Sequence, residues 1–243
     1  MAKQVWKPGN MLYPIPAVMV SCALEGEKPN IITVAWAGNV CSSPAMLSIS
    51  VRPERYSHHI LKESGEFVVN LTSRELTRAC DWCGVRSGRD YDKFAKMHLT
   101  PMKMEKVSCP GIAESPVNIE CKVTQILPLG SHDLFLAEVL CVDVEETFLD
   151  EKGRLDLRKA DLVAYSHGDY LSLGEKLGKF GYSVAKKPEN SVNKAVNPGK
   201  KTVNSEKKPE ANTKSKDGKQ RENRKSGTGL RKNAGKYSKK SDS

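Results

Sequence analysis

The sequence predicts a mainly β domain over residues 1–187, followed by a basic tail over residues 188–243. Seven segments have the length and apolar pattern of strands, whereas the helical segments between them are short. The composition also changes sharply near Lys186, where apolar residues become rare. Seven strands joined by turns and short helices favour a β-barrel over a doubly wound sheet.

Each predicted strand is either a continuous apolar run or a period-two alternation. The alternation is clearest where every second residue from Val117 to Val123 is apolar. A turn at 130–133 separates this strand from the next, so the two are expected to form a hairpin. The predicted strands are residues 17–24, 31–37, 45–51, 66–71, 117–124, 134–144 and 162–166.

Three short helices are predicted in the connections. Gly65 and Gly84 are expected to end the first two, because glycine readily adopts the left-handed conformation that terminates a helix. Ser73 precedes the second helix and is expected to cap it. The predicted helices are residues 55–64, 74–83 and 90–97.

The positive charge of the chain is concentrated at its C-terminal end. The 243 residues carry 39 Lys and Arg against 29 Asp and Glu, a formal net charge of +10. From Lys186 onward there are 18 basic and 6 acidic residues, so the preceding body is slightly acidic. This excludes a wholly basic nucleic-acid-binding domain. The tail has too few apolar residues to fold and is predicted to be disordered, either as a solvated extension or as a weak contact to nucleic acid or an acidic partner.

Cysteine usage and hydropathy indicate a reduced, cytoplasmic compartment. The seven cysteines are odd in number, and several lie inside apolar runs, which argues against a secreted disulfide scaffold. Cys22, Cys121 and Cys141 are expected in the core. The longest apolar stretch, residues 15–24, is about half of what a membrane span needs, so no membrane partner is expected.

Several common catalytic motifs are missing from the sequence. It contains neither a Rossmann nor a P-loop fingerprint, and it has no nucleophile elbow. Cys80 and Cys83 have the spacing of neighbours on a helix, but zinc would need a second pair of ligands. Small buried residues are a more frequent outcome for such a pair than a redox dithiol. The chemistry is therefore expected to reside in a cofactor, and no metal is expected.

The most informative segment is residues 30–56. A strand ends at Trp36, small polar residues follow, and a second strand ends at Arg52. An aromatic wall, exposed backbone groups and hydroxyls beside arginine suit a flat heterocycle that carries a phosphate.

Together with residues 87–94 and 165–170, this segment resembles the flavin reductase-like FMN-binding split-barrel family. The resemblance extends over residues 1–187 and implies a split β-barrel of Greek-key topology. It also implies non-covalent FMN, a homodimer, and oxidoreductase activity with NAD(P)H or a reduced redox partner protein as the electron donor.

The resemblance also assigns candidate residues to parts of FMN. Cys41 and Ser42 are expected on a turn near the ring. Lys93 would add a second cation to the phosphate, and His167, with Tyr170, would close the pocket from the other subunit. The remaining candidates are Asn30, Thr33, Val34, Ala35 and Trp36 along the isoalloxazine and ribityl chain, and Ser50, Arg52 and Ser57 toward the phosphate.

Simpler roles remain open for some of these residues. Trp36 could be ordinary core, Arg52 and Arg55 could be surface charges, and Lys93 could be solvated on its helix. Two alternative functions also remain: a flavin-bound electron carrier without turnover of its own, and a binding module without flavin.

Overall fold

The computed structural model of the 243-residue chain describes residues 1–185, of which Met1–Phe180 form a compact unit. The predictions of disorder and of partner contacts for the basic tail lie outside the described residues. Within the described residues, no helix is long and apolar enough to cross a membrane.

The fold is mainly β, as the sequence predicts. The α-helices are α1 (Tyr56–Ser64), α2 (Thr77–Val85) and α3 (Lys93–Met97). Short 3₁₀ helices are formed by Glu146–Phe148, Leu157–Ala160 and Tyr182–Val184. The strands are β1 (Ile15–Pro16), β2 (Val18–Cys22), β3 (Asn30–Val34), β4 (Ala37–Ser42), β5 (Ala45–Val51), β6 (Glu66–Leu71), β7 (Pro101–Met102), β8 (Gly111–Ile112), β9 (Val117–Pro128), β10 (Asp133–Val144), β11 (Val163–Ser166) and β12 (Asp169–Ser172).

Seven of these strands form one antiparallel sheet that curls into a half-barrel. Their order across the sheet is β3-β2-β6-β9-β10-β5-β4. A small sheet of β1, β11 and β12 and the short pair β7–β8 complete the strand pairing of the described chain. The chain returns across the open side between β3 and β4, where the Ser50 N–H donates to the Trp36 carbonyl at 2.9 Å.

Two apolar layers share β2 and β3. Val18 and Val20 point into the half-barrel with Phe67 and Phe135. Met19 and its neighbours on the opposite face pack against α2 and α3. Because both faces of these strands are buried, their sequences are continuous apolar runs rather than alternations.

The hairpin of β9 and β10 is confirmed, with its turn closed by the Leu129 N–H and the His132 carbonyl at 2.9 Å. The strands extend beyond the predicted limits because ladder bonds continue from Asp133–Pro128 to Val144–Val117. Gly65 ends α1 in the left-handed conformation, also as predicted.

Four local expectations are wrong. Ser73 does not cap α2, because the helix begins only at Thr77 and its cap residue is Leu76, which makes no side-chain capping bond. Cys41 and Ser42 lie in edge strand β4, not in a turn, because the ladder to β5 outweighs the poor strand propensity of the preceding glycine and asparagine. Gly84 does not end α2; a Cβ there would lie 3.0 Å from Thr33 Cβ, so glycine serves the close approach of α2 to β3. Cys141 is only half-buried, whereas Cys22 and Cys121 are in the core.

Candidate functional site

A cleft of about 500 Å³ opens where the start of β3, the β5–α1 loop and the segment from α2 to α3 meet. These three parts of the chain are far apart in sequence. The predicted residues Asn30, Arg52, Ser57 and Lys93 all line this one cleft. The fold therefore brings three of the four phosphate-side candidates, Arg52, Ser57 and Lys93, into one cleft with Asn30. The fourth, Ser50, lies outside this cleft.

The floor of the cleft is a buried polar contact. Asn30 Nδ2 donates to Ser57 Oγ at 2.7 Å, and the two residues are 3% and 2% exposed. Gly88 crosses directly over this floor: a Cβ at Gly88 would lie 2.2 Å from Asn30 Oδ1 and 2.7 Å from Tyr56 Cδ1. Only glycine allows the backbone to approach the floor this closely.

The N-terminus of α1 faces the cleft. The helix starts at Tyr56, and its cap residue Arg55 makes no side-chain capping bond. The first backbone N–H groups of a helix have no intrahelical acceptor and carry a partial positive charge, which suits an anion. The Ser57 hydroxyl lies in the same first turn.

The rim of the cleft is strongly basic. Arg52, Arg55, Arg86, Arg89 and Lys93 line it, and Glu54 is the one carboxylate among the lining residues. Within residues 1–185, one of these four arginines pairs with a carboxylate: Arg52 lies 3.5 Å from Glu54. Arg55 donates instead to the Gly84 carbonyl at 3.3 Å. A set of guanidinium groups without matching carboxylates is typical of a phosphate site.

Lys93 is buried rather than solvated on its helix. Its Nζ donates to the Ile31 carbonyl at 2.6 Å and to the Cys83 carbonyl at 2.7 Å. These bonds use two of the three N–H donors of the ammonium group. Burial is the main cause that lowers the pKa of Lys93 to about 8. The proposed contact of Lys93 with a phosphate stays a prediction.

A narrower groove of about 160 Å³ continues from the cleft, since both are lined by Ile32, Arg52 and Arg55. Its wall is the backbone from Thr33 to Trp36, together with Ser50 and His132. All the residues that were assigned to the isoalloxazine and ribityl chain, except Asn30, therefore line this groove.

Trp36 is not a core residue. It is 39% exposed, and its ring packs at a tilt of 38° against that of His132 in the β9–β10 turn, with ring centroids 4.5 Å apart. Burial, followed by the positive charge of Arg52, lowers the pKa of His132. A larger open groove of about 720 Å³ continues from Trp36 past residues 9–13. The aromatic pair therefore stands at the junction of two open grooves.

Some predicted site residues lie elsewhere in the fold. Cys41 and Ser42 are exposed on the edge strand β4 and do not line the cleft or the two grooves described above. His167 occupies a left-handed position (φ 52°) in the β11–β12 turn and contacts the ring of Tyr13 at 5.0 Å. Tyr170 donates to Asp81 at 3.3 Å. Roles for these residues at a flavin stay predictions.

The sequence reasoning overlooked several lining residues. Arg86 and Arg89 flank the Ser87-Gly88 pair that crosses the floor, a spacing that could have indicated an anion-binding turn. Arg55, for which the sequence left a surface role open, also lines the cleft. No local pattern points to His132, because the β9–β10 turn approaches Trp36 only in the folded chain.

Cys80 and Cys83 are both buried on α2. Burial raises the pKa of both thiols, that of Cys83 to about 11. Thiols that stay protonated are poor nucleophiles, so these two residues are packing residues rather than a reactive pair.

The chain is similar in sequence to known proteins. An uncharacterised protein of Archaeoglobus fulgidus is 36% identical over 147 residues, which cover 60% of this chain and 82% of that protein. The NADPH-flavin oxidoreductase of Streptomyces viridifaciens is 26% identical over 125 residues, which cover 51% of this chain and 63% of that protein.

Solved structures of other proteins have a similar fold. The flavoredoxin of Desulfovibrio vulgaris (Miyazaki F) matches with a TM-score of 0.71 and 32% identity, covering 76% of this chain and all of that one. The FMN-binding protein of Thermus thermophilus matches with a TM-score of 0.62 and 25% identity, covering 74% and 98%.

A family model also matches the chain. Residues 11–174 match the model of the flavin reductase like domain. This span contains the cleft, both walls of the narrower groove and every strand of the described chain. The chain belongs to the flavin reductase-like domain family.

Proposed function

We propose that this chain is an FMN-dependent oxidoreductase that transfers electrons from NAD(P)H or a reduced carrier to an acceptor. One observation carries the proposal: a basic cleft at a helix N-terminus continues into a groove walled by Trp36 and His132. This combination matches the two ends of FMN, a phosphate and a flat ring. The FMN-binding relative named above supports the choice of flavin.

The residues present fit the phosphate of FMN. Arg52 and Arg55 supply guanidinium groups, and Ser57 and the first turn of α1 supply hydrogen-bond donors. The floor has no space for a side chain at Gly88, so the backbone itself approaches the ligand position. The remaining N–H of Lys93 adds a donor from below.

The residues also fit a flavin ring. Trp36 presents an exposed aromatic face, and the backbone from Thr33 to Ala35 offers hydrogen-bonding groups along the groove. FMN held in this groove would supply hydride chemistry that couples oxidation of a reduced nicotinamide to two-electron reduction of an acceptor. The protein holds and orients the two partners, and no dedicated acid or base is required for this role.

The test is FMN titration into flavin-depleted protein, followed by absorbance. Wild-type protein is expected to bind FMN and to show a two-band flavin spectrum. Loss of one charge-assisted phosphate contact costs about 1.5–3 kcal/mol, so Arg52→Gln should raise the Kd for FMN at least ~10-fold. Arg78→Gln is the matched control, since Arg78 is exposed on α2 and lines none of the described cavities. Folded wild-type protein that takes up no FMN would overturn the proposal.

A second candidate is an electron carrier with no turnover of its own. The exposure of Trp36 favours it, because a ring beside an open groove is within reach of a protein partner. The similarity to a flavoredoxin is consistent with this role. Rapid NAD(P)H oxidation with free flavin as acceptor supports the enzyme, whereas slow oxidation with fast exchange to a redox protein supports the carrier.

We also propose that the chain forms a homodimer, as its family resemblance implies. Light scattering of the purified protein tests this: a mass of twice 26.8 kDa is expected, and a mass equal to one chain contradicts it.

A further inference from the structure

The cleft carries more positive charge than one flavin phosphate can balance. Five basic side chains line it against a single carboxylate. A phosphate monoester contributes about two negative charges at neutral pH. The cleft volume of about 500 Å³ is also in the range of pockets that hold whole small ligands, rather than one phosphate group.

The basic residues come from two separate segments. Arg52 and Arg55 belong to the β5–α1 loop, beside the helix N-terminus assigned above to FMN. Arg86 and Arg89 belong to the segment between α2 and α3, on either side of Ser87-Gly88. The second pair is not needed for the phosphate contacts already described.

Aromatic rings hold the second pair of arginines in position. Arg86 Cζ lies 6.0 Å from the centre of the Tyr91 ring, and Arg89 Cζ lies 5.4 Å from that of Tyr56. Across residues 1–185, neither guanidinium forms an ion pair with a carboxylate. Arg89 Nη1 donates to the Glu54 carbonyl at 3.5 Å. A guanidinium stacked on a ring can still direct its remaining N–H groups to a planar or tetrahedral anion.

We propose that Arg86 and Arg89 form a second anion subsite, which binds the 2′-phosphate of NADPH while FMN occupies the first. This inference rests on the proposed function and identifies the donor nucleotide. The excess positive charge favours a second phosphate monoester on another ligand over FAD in place of FMN. The diphosphate of FAD carries about the same total charge as the FMN phosphate, so it would leave the excess unbalanced. Arginine is the usual protein partner of a 2′-phosphate, and two adjacent guanidinium groups match its oxygens.

The test uses FMN-loaded protein and calorimetry with 2′,5′-ADP. The comparison ligand is 5′-ADP, which has a similar charge but no 2′-phosphate. Wild-type protein is expected to bind 2′,5′-ADP at least ~10-fold more tightly. The double variant Arg86→Gln/Arg89→Gln should lose this preference, whereas the control Arg78→Gln should keep it. The ratio for the wild type is informative even if the double variant does not fold.

Three results would overturn the proposal. The first is equal binding of the two ligands by wild-type protein. The second is a folded double variant that keeps the preference. The third is displacement of bound FMN, seen as a change in its absorbance, when 2′,5′-ADP is added, because the cleft would then hold only one anion at a time. Failure of the proposed function itself is distinguishable, since such protein shows no FMN absorbance before any nucleotide is added.

Discussion

Replacement of Gly88 by alanine tests whether the close approach over the cleft floor is required. The added Cβ would lie 2.2 Å from Asn30 Oδ1, 2.6 Å from Asn30 Cγ and 2.7 Å from Tyr56 Cδ1. Asn30 cannot turn away freely, because it is 3% exposed and bonded to Ser57. Overpacking of this kind costs about 1–3 kcal/mol, and loss of the Asn30–Ser57 bond adds about 0.5–1.5 kcal/mol. For a unit of this size, a loss of about 2–4 kcal/mol lowers Tm by roughly 5–15 °C.

Thermal unfolding and FMN titration measure the two consequences separately. We expect Gly88→Ala to lower Tm as stated and to raise the Kd for FMN at least ~10-fold, since the floor beneath the phosphate must shift. Gly174→Ala is the control, because a Cβ at Gly174 would meet nothing within 4 Å. A Gly88→Ala protein with a Tm within about 2 °C of the wild type and a Kd within about twofold would refute the packing argument.

Three further predictions follow from the same structure. The pKa of Lys93 is lowered from 10.5 to about 8, so between these pH values the unfolded chain binds more protons and the free energy of unfolding rises with pH. Lys93→Met should remove this part of the rise, as measured by urea denaturation at several pH values, and wild-type FMN affinity should fall above pH 8. An unchanged pH profile of stability in the variant contradicts the assignment. Trp36→Ala should weaken the quenching of bound flavin fluorescence while changing the free energy of unfolding by less than about 1 kcal/mol, because Trp36 is 39% exposed. Trp6→Ala is the control, and equal effects of the two variants on flavin fluorescence would exclude Trp36 as the wall beside the flavin ring. Asn70→Ala should cost about 2–5 kcal/mol in urea denaturation, because Asn70 Oδ1 accepts from the buried Ile112 N–H at 2.9 Å and from a second buried amide; a cost below about 1 kcal/mol would contradict this.

Local patterns in the sequence determined much of the sheet. The alternation from Val117 to Val123 and the following turn predict the β9–β10 hairpin, because neighbouring residues decide both the exposed face and the turn. Gly65 ends α1 for a similarly local reason, since its φ of 65° suits glycine. The family resemblance rested on three short segments, and the match over residues 11–174 confirms it.

Tertiary contacts decided the features that local patterns misjudged. β4 is a strand because β5 pairs with it, despite a glycine and an asparagine in its first half. Gly84 lies inside α2, where a Cβ would come within 3.0 Å of the Thr33 side chain, a tight contact that glycine avoids. Lys93 points inward because two backbone carbonyls accept hydrogen bonds from its ammonium group. In each case the partner is remote in sequence, and no local propensity reports it.

The candidate site shows the same division. Sequence alone indicated Arg52 and Ser57, which stand close together at the end of β5 and the start of α1. Only the fold brings Arg86 and Arg89 to the same cleft and places His132 against Trp36. The sequence by itself therefore determined the kind of ligand to expect. The tertiary structure decided how many charges surround that ligand, because side chains more than thirty residues apart add their fields only when the chain has folded.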